Sequence, residues 1–153
     1  MTAHNYRDKS KDPVQFGGVM IATNGLPVSW ISESGRDRQG LGRWVWQTLS
    51  HPNQGSTTII SAYILVKFYN EGGNTVCKQH ERINNTSILD PIDLLLKELQ
   101  EFIKNQQEKE DNIILGIDTN LDISGRKIKE WLRKINLKMQ FSTNIKATVE
   151  LPR

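Results

Sequence analysis

Short apolar runs bounded by turn residues mark out the strands of this chain. Residues 19–22, 43–49 and 57–66 are apolar, alternating or rich in β-branched residues, which predicts three strands. The second and third flank the turn sequence at 51–55, so we expect them to form an antiparallel pair. The polar, glycine-punctuated stretch at 32–42 is predicted to be a loop.

The clearest helix signal follows a long loop at residues 67–89. Asp90 is a suitable capping residue, and Pro91 fits the first helical position. Leu95, Leu99 and Phe102 keep the spacing of one buried helix face. A second helix is predicted to start near residue 124, with its inward-facing positions at Ile128, Trp131 or Leu132, and Ile135.

Between the two helices, residues 112–117 form a continuous apolar run containing Gly116. Such a run predicts a strand that is covered on both faces. Strands outnumber helices and alternate with them irregularly, so the pattern alone predicts a mixed α/β or α+β domain.

Composition narrows the class of protein. The chain has 153 residues and a formal net charge of +3, which suits one folded domain and excludes disorder as the default. Cys77 is the only cysteine, so neither an intramolecular disulfide nor a thiolate zinc site can form. The polar N-terminus shows no secretory signal and no apolar run could span a bilayer, so we expect an intracellular protein, in cytoplasm or nucleus.

The most informative polar residues end the strand at 112–117. Asp118 and Asn120 would place a carboxylate and a carboxamide on the same side of an extended chain, at the carboxyl end of a buried strand. That pair suits phosphoryl chemistry, because the acid can orient water or hold a cation while the amide binds a phosphate oxygen. The alternative is an ordinary Asx turn, which the spacing alone favours.

An ordered set of motifs carries a family resemblance over residues 15–137. The motifs are QFGG at 15–18, GLGRWVW at 40–46, IISAY at 59–63, Gln79, Asp90-Pro91, and IILGIDTN at 113–120. This series resembles the middle of the endonuclease/exonuclease/phosphatase superfamily, the metal-dependent group that includes deoxyribonuclease I. It is most similar to divergent members associated with retrotransposon-like genes.

The resemblance implies an α+β fold, a two-sheet sandwich flanked by helices in four layers, and it assigns residue roles. Asp118 would orient the attacking water and contact Mg²⁺ or Mn²⁺, while Asn120 and Tyr63 would hold the scissile phosphate of a nucleic acid. Arg43 and Gln79 would contact substrate. The alternatives are a half-buried strand aromatic for Tyr63 and a solvated charge at a strand end for Arg43.

Departures from the family pattern are equally clear. Residues 1–14 do not resemble the segment that supplies the metal-binding Glu, and no histidine follows Asp118 to supply the downstream Asp-His pair. We therefore expect an internal fragment, with a polar lead-in at 1–13 and a partial domain at 14–153 lacking its N- and C-terminal parts. Little hydrolysis is expected from it. The alternative function is an inactive remnant, or an interaction module, of a transposon-derived protein.

The second predicted helix is strongly basic. Between residues 126 and 138, six basic residues stand against Glu130 alone: Arg126, Lys127, Lys129, Arg133, Lys134 and Lys138. Such a surface could bind nucleic-acid phosphates, although a solvated helix face is the commoner explanation.

Overall fold

The computed structural model describes residues 1–4, 18–64, 90–119 and 126–138. These residues form an α+β arrangement of strands and two α-helices. The strands are β1 (Thr2–His4), β2 (Gly18–Met20), β3 (Ile31–Arg36), β4 (Trp44–His51), β5 (Gly55–Tyr63) and β6 (Asn112–Asp118). The α-helices are α1 (Pro91–Glu108) and α2 (Arg126–Lys134), and a 3-10 helix spans Leu26–Trp30.

Four strands form one mixed sheet in the order β3-β4-β5-β6. The pairs β3/β4 and β4/β5 are antiparallel, whereas β5/β6 is parallel. The antiparallel pairing of the strands on either side of the turn at 51–55 is confirmed. Helix α1 lies between β5 and β6 in sequence, as the return connection of a parallel pair requires.

Both α-helices pack on one face of this sheet, and this contact forms the main core. Every second residue of the central strands points to that face, and the buried faces of α1 and α2 cover them. The fully enclosed members are Ile60, Ile64, Leu95, Leu99, Ile103 and Ile135. The helix periodicity predicted from sequence is confirmed, with Ile128 and Trp131 buried and Leu132 partly buried.

The other face of the sheet meets a separate ribbon made of β1 and β2. These two strands pair antiparallel with each other, and β2 lies close to β4 and β5. Because β4 and β5 already have neighbours on both edges and helices on one face, the ribbon lies over the opposite face. There Thr23 Oγ1 donates to Gln47 Oε1 at 2.6 Å, which ties the segment after β2 to the sheet.

Two sequence predictions are wrong. Residues 32–36, the first part of the stretch predicted to be a loop, belong to β3, because cross-strand pairing with β4 overrides their polar composition. Strand β6 is not covered on both faces. Its residues alternate between partly buried and exposed, and Ile114 is 56% exposed, because in the described sheet β6 lies at the edge and only the helix face is packed.

Helix α1 begins as the sequence predicts. The Asp90 side chain accepts a hydrogen bond from the Ile92 backbone N–H at 2.9 Å, which satisfies one free donor of the first turn. Pro91 occupies the first turn. Neither α1 nor any other helix of the described residues combines the length and apolarity needed to span a membrane.

Candidate functional site

Tyr63 and Asp118 are side by side at the carboxyl end of the parallel strands β5 and β6. They are direct partners in the strand register, and paired residues on adjacent parallel strands project from the same face. Their neighbours Ala62 and Ile117 face the helices, so Tyr63 and Asp118 face away from them. Asp118 is exposed and Tyr63 is partly buried. The structure thus brings these two predicted site residues together.

Backbone hydrogen bonds hold this pair in register across three strands. The Tyr63 N–H donates to the Arg43 carbonyl at 2.9 Å, and the Ile64 N–H donates to the Asp118 carbonyl at 2.8 Å. Asp118 is followed by Thr119, which is only 6% exposed. The Asp118 and Tyr63 side chains therefore project from a fixed sheet edge rather than from a free loop.

The first turns of both helices meet at this same end of the sheet. Helix α1 connects parallel strands, so it runs back along them and starts beside their carboxyl ends. The Lys127 Nζ lies 2.6 Å from the Asp93 Oδ1, which places the first turn of α2 beside that of α1. Parallel sheets of α/β proteins present their ligand sites at this end.

An uncovered strip of β6 leads to the pair. Ile114, Gly116 and Asp118 are all exposed and alternate along the strand on the face away from the helices. A Cβ added at Gly116 would come no closer than 3.8 Å to another atom, the Ile60 carbonyl oxygen. This part of β6, beside Tyr63 and Asp118, is therefore exposed to solvent.

Arg43 has different surroundings from those predicted. It is only 1% exposed, and its guanidinium is ion-paired with Asp37 and with Glu98 of α1. Asp37 also accepts from the Leu41 and Arg43 backbone N–H groups, at 2.9 and 2.8 Å, while Gln39 Nε2 donates to Glu98 at 2.8 Å. This network closes the β3–β4 loop onto α1.

The guanidinium of Arg43 therefore lies on the helix side of the sheet, whereas Tyr63 and Asp118 face the other side. The structure brings the Arg43 carbonyl, but not its side chain, to the Tyr63–Asp118 pair. The solvated strand-end alternative for Arg43 is wrong, because the side chain is enclosed and paired. The sequence analysis did not identify Asp37 or Glu98. For Asp37 the available signal was a carboxylate just before a loop that contains Gly40 and Gly42. Both glycines adopt a positive φ, +71° and +72°.

Two predicted site residues, Asn120 and Gln79, lie outside the described residues, so their roles stay predictions. Within residues 1–4, 18–64, 90–119 and 126–138, no group of three or more His, Cys, Asp or Glu side chains could hold a metal ion. An ion held by Asp118 alone would take most of its six ligands from water, so its binding to the protein would be weak.

Comparison with known proteins gives one distant structural likeness. No family model matches the sequence, and no curated protein matches it. The chain is similar in structure to a β-hairpin deletion mutant of beta toxin from Staphylococcus aureus, with 16% identity and a TM-score of 0.39. The match covers 64% of this chain and 31% of the toxin chain, and it is too distant to assign a family.

Proposed function

We propose that Tyr63 and Asp118, at the carboxyl ends of β5 and β6, form part of a phosphodiesterase site acting on nucleic acid. The observation that supports it is the register: a carboxylate and a phenol are direct neighbours on parallel strands, and both project from the face away from the helices, where Asp118 is exposed and Tyr63 is partly buried. An exposed carboxylate can accept a proton from water, and a phenol can donate to a phosphate oxygen.

The two side chains have complementary roles in this proposal. The Asp118 carboxylate orients a water molecule and accepts its proton as the water attacks phosphorus. The bond between phosphorus and the leaving sugar oxygen breaks as the new bond forms, and the departing oxygen takes its proton from solvent. The Tyr63 hydroxyl donates a hydrogen bond to a non-bridging phosphate oxygen, where negative charge accumulates. Asn120, which lies outside the described residues, would add an amide donor in this proposal. Fixed backbone hydrogen bonds at Tyr63 and Ile64 support the orientation of the pair.

The described residues do not fit a divalent metal ion, so no step of the proposal passes through Mg²⁺ or Mn²⁺. Turnover by this chain alone should therefore be low. The same shortfall favours a second candidate function, an inactive remnant that keeps the strands and binds nucleic acid or a protein without hydrolysing a bond.

A nicking assay on supercoiled DNA, with and without Mg²⁺, separates the two candidates. Asp118→Asn keeps the size of the side chain but removes the basic carboxylate, so we expect nicking to fall about 10²–10⁴-fold. Glu108→Gln is the matched control. It removes an exposed carboxylate at the far end of α1 and should leave the rate unchanged.

Equal nicking by wild type and Asp118→Asn would place the activity elsewhere and contradict the proposal. No nicking by the wild-type chain, with its fold confirmed by circular dichroism, would favour the remnant. Tyr63→Phe provides an intermediate readout, since it removes only the hydroxyl and should reduce nicking less than the loss of Asp118.

A further inference from the structure

Helix α2 keeps its apolar side inside the protein and its charged side outside. Ile128, Trp131 and Ile135 are buried, and the Trp131 Nε1 donates to the Leu96 carbonyl of α1 at 2.8 Å. The helix is therefore fixed by packing as well as by a hydrogen bond. The exposed side chains of α2 are all charged, so the outer side of the helix offers polar contacts.

This outer side of α2, together with Lys97 of α1, is cationic. We define the α1–α2 cationic surface by six residues: Lys97, Arg126, Lys127, Lys129, Arg133 and Lys134. Two of these cations are paired, Lys127 with Asp93 at 2.6 Å and Arg126 with Glu130. The other four have no carboxylate partner within the described residues.

The cations form two rows separated by Glu130. By the helix period, Arg126, Lys129 and Arg133 make an outer row. Lys127 and Lys134 make an inner row, which borders a groove of about 310 Å³ between the helices. Lys97 lines the opposite wall of that groove together with Gln100 and Asp93. The surface is thus a strip of separated positive charges rather than one compact cluster.

We propose that the α1–α2 cationic surface docks the phosphate backbone of nucleic acid. A polynucleotide presents a regular line of negative charges, which a strip of fixed cations can contact at several points. An anionic membrane is the weaker fit. Amphipathic helices bind bilayers by inserting apolar side chains, and those of α2 are buried in the protein core.

This inference stands apart from the proposed hydrolysis. The surface lies on the helix side of the sheet, whereas Tyr63 and Asp118 face the other side. Both reach the same end of the molecule, since the Lys127–Asp93 pair lies in the first turns of α2 and α1. A polynucleotide held along α2 would extend toward the sheet edge that carries Asp118, but docking needs no chemistry there.

Fluorescence anisotropy with a labelled single strand and a labelled duplex tests the docking surface. Four unpaired cations predict a plot of log affinity against log salt with a slope of about −3 to −4. In the Lys129→Gln/Arg133→Gln variant the slope should become shallower by about 2, and affinity at about 0.1 M salt should fall roughly 50-fold.

A second double variant controls for net charge. Arg38→Gln/Lys109→Gln removes the same two charges from exposed positions outside α2 and its groove. It should weaken binding less than about threefold. Equal losses in both double variants would show a diffuse charge effect and overturn the proposal, as would binding that does not depend on salt.

Two further measurements distinguish the alternatives. Binding to phosphatidylserine vesicles that depends on Lys129 and Arg133 and exceeds binding to DNA would identify a membrane surface and contradict the proposal. Asp118→Asn should retain full DNA affinity even where nicking is lost. Loss of affinity in that variant would place the docking surface at the Tyr63–Asp118 edge instead.

Discussion

The two faces of the four-stranded sheet have opposite characters along β6. On the helix side, Ile113, Leu115 and Ile117 pack against the core formed by α1 and α2. On the other side, Ile114 and Asp118 are exposed. One strand therefore serves both stability and accessibility, because successive side chains alternate between the faces.

The ribbon of β1 and β2 covers only part of the face away from the helices, so the strands of the sheet differ in exposure there. On the face away from the helices, β4 is buried, with Val45 at 0% and Gln47 at 6% exposure, whereas β6 is open. Coverage thus decreases across the sheet from β4 to β6. The exposed face runs along β6 and includes its carboxyl end, where a site can be reached from solvent.

The largest expected effect comes from placing the same substitution on each face. Ile60→Thr buries an unpartnered hydroxyl in the helix-side core and should lower the free energy of unfolding by about 2–4 kcal/mol. Ile114→Thr acts on a side chain that is 56% exposed, and its effect should stay within about 0.5 kcal/mol. Urea unfolding of both variants checks the contrast. Equal losses would mean that the outer face of β6 is packed after all.

A smaller contrast comes from two strand glycines. A Cβ at Gly35 would lie 2.7 Å from the Trp46 indole nitrogen. A Cβ at Gly116 would make only an ordinary van der Waals contact, at 3.8 Å from the Ile60 carbonyl oxygen. Gly35→Ala should therefore destabilise the protein by about 1–3 kcal/mol, because Trp46 must move within its contact with Phe102.

Gly116→Ala should be neutral or stabilising by up to about 1 kcal/mol, because it reduces the entropy of the unfolded chain. Thermal melting of the pair provides the measurement. A melting temperature lowered as much by Gly116→Ala as by Gly35→Ala would contradict the open strip on β6.

Much of the fold could be predicted from local sequence signals. The Asp90 cap with Pro91 defined the start of α1, and the inward positions of α2 followed from the 3.6-residue period. Strand β3 could not be predicted, because its polar residues are held by pairing with β4 rather than by their own preference. A continuous apolar run likewise could not reveal which face of β6 remains uncovered.

The candidate site also has features that could be predicted from the sequence and features that could not. That Asp118 ends a strand was readable from sequence, but its pairing with Tyr63 depends on the register between β5 and β6, which tertiary packing sets. The position of Arg43 could not be predicted. Its motif placed it near the substrate face, yet Asp37 and Glu98 draw the guanidinium to the helix side, and neither carboxylate is adjacent to it in sequence.

The central claim is that the Tyr63–Asp118 edge binds a phosphodiester. It is tested most directly by ¹H–¹⁵N spectra of the whole chain titrated with a phosphorothioate-linked dinucleotide, which resists hydrolysis and is short enough to report one contact. We predict the largest shifts at the backbone amides of Tyr63, Ile64, Asp118 and Thr119, and their loss in the Tyr63→Phe variant, which lacks the hydroxyl that donates to the phosphate. Shifts confined to α2, or none at this edge, would contradict the claim.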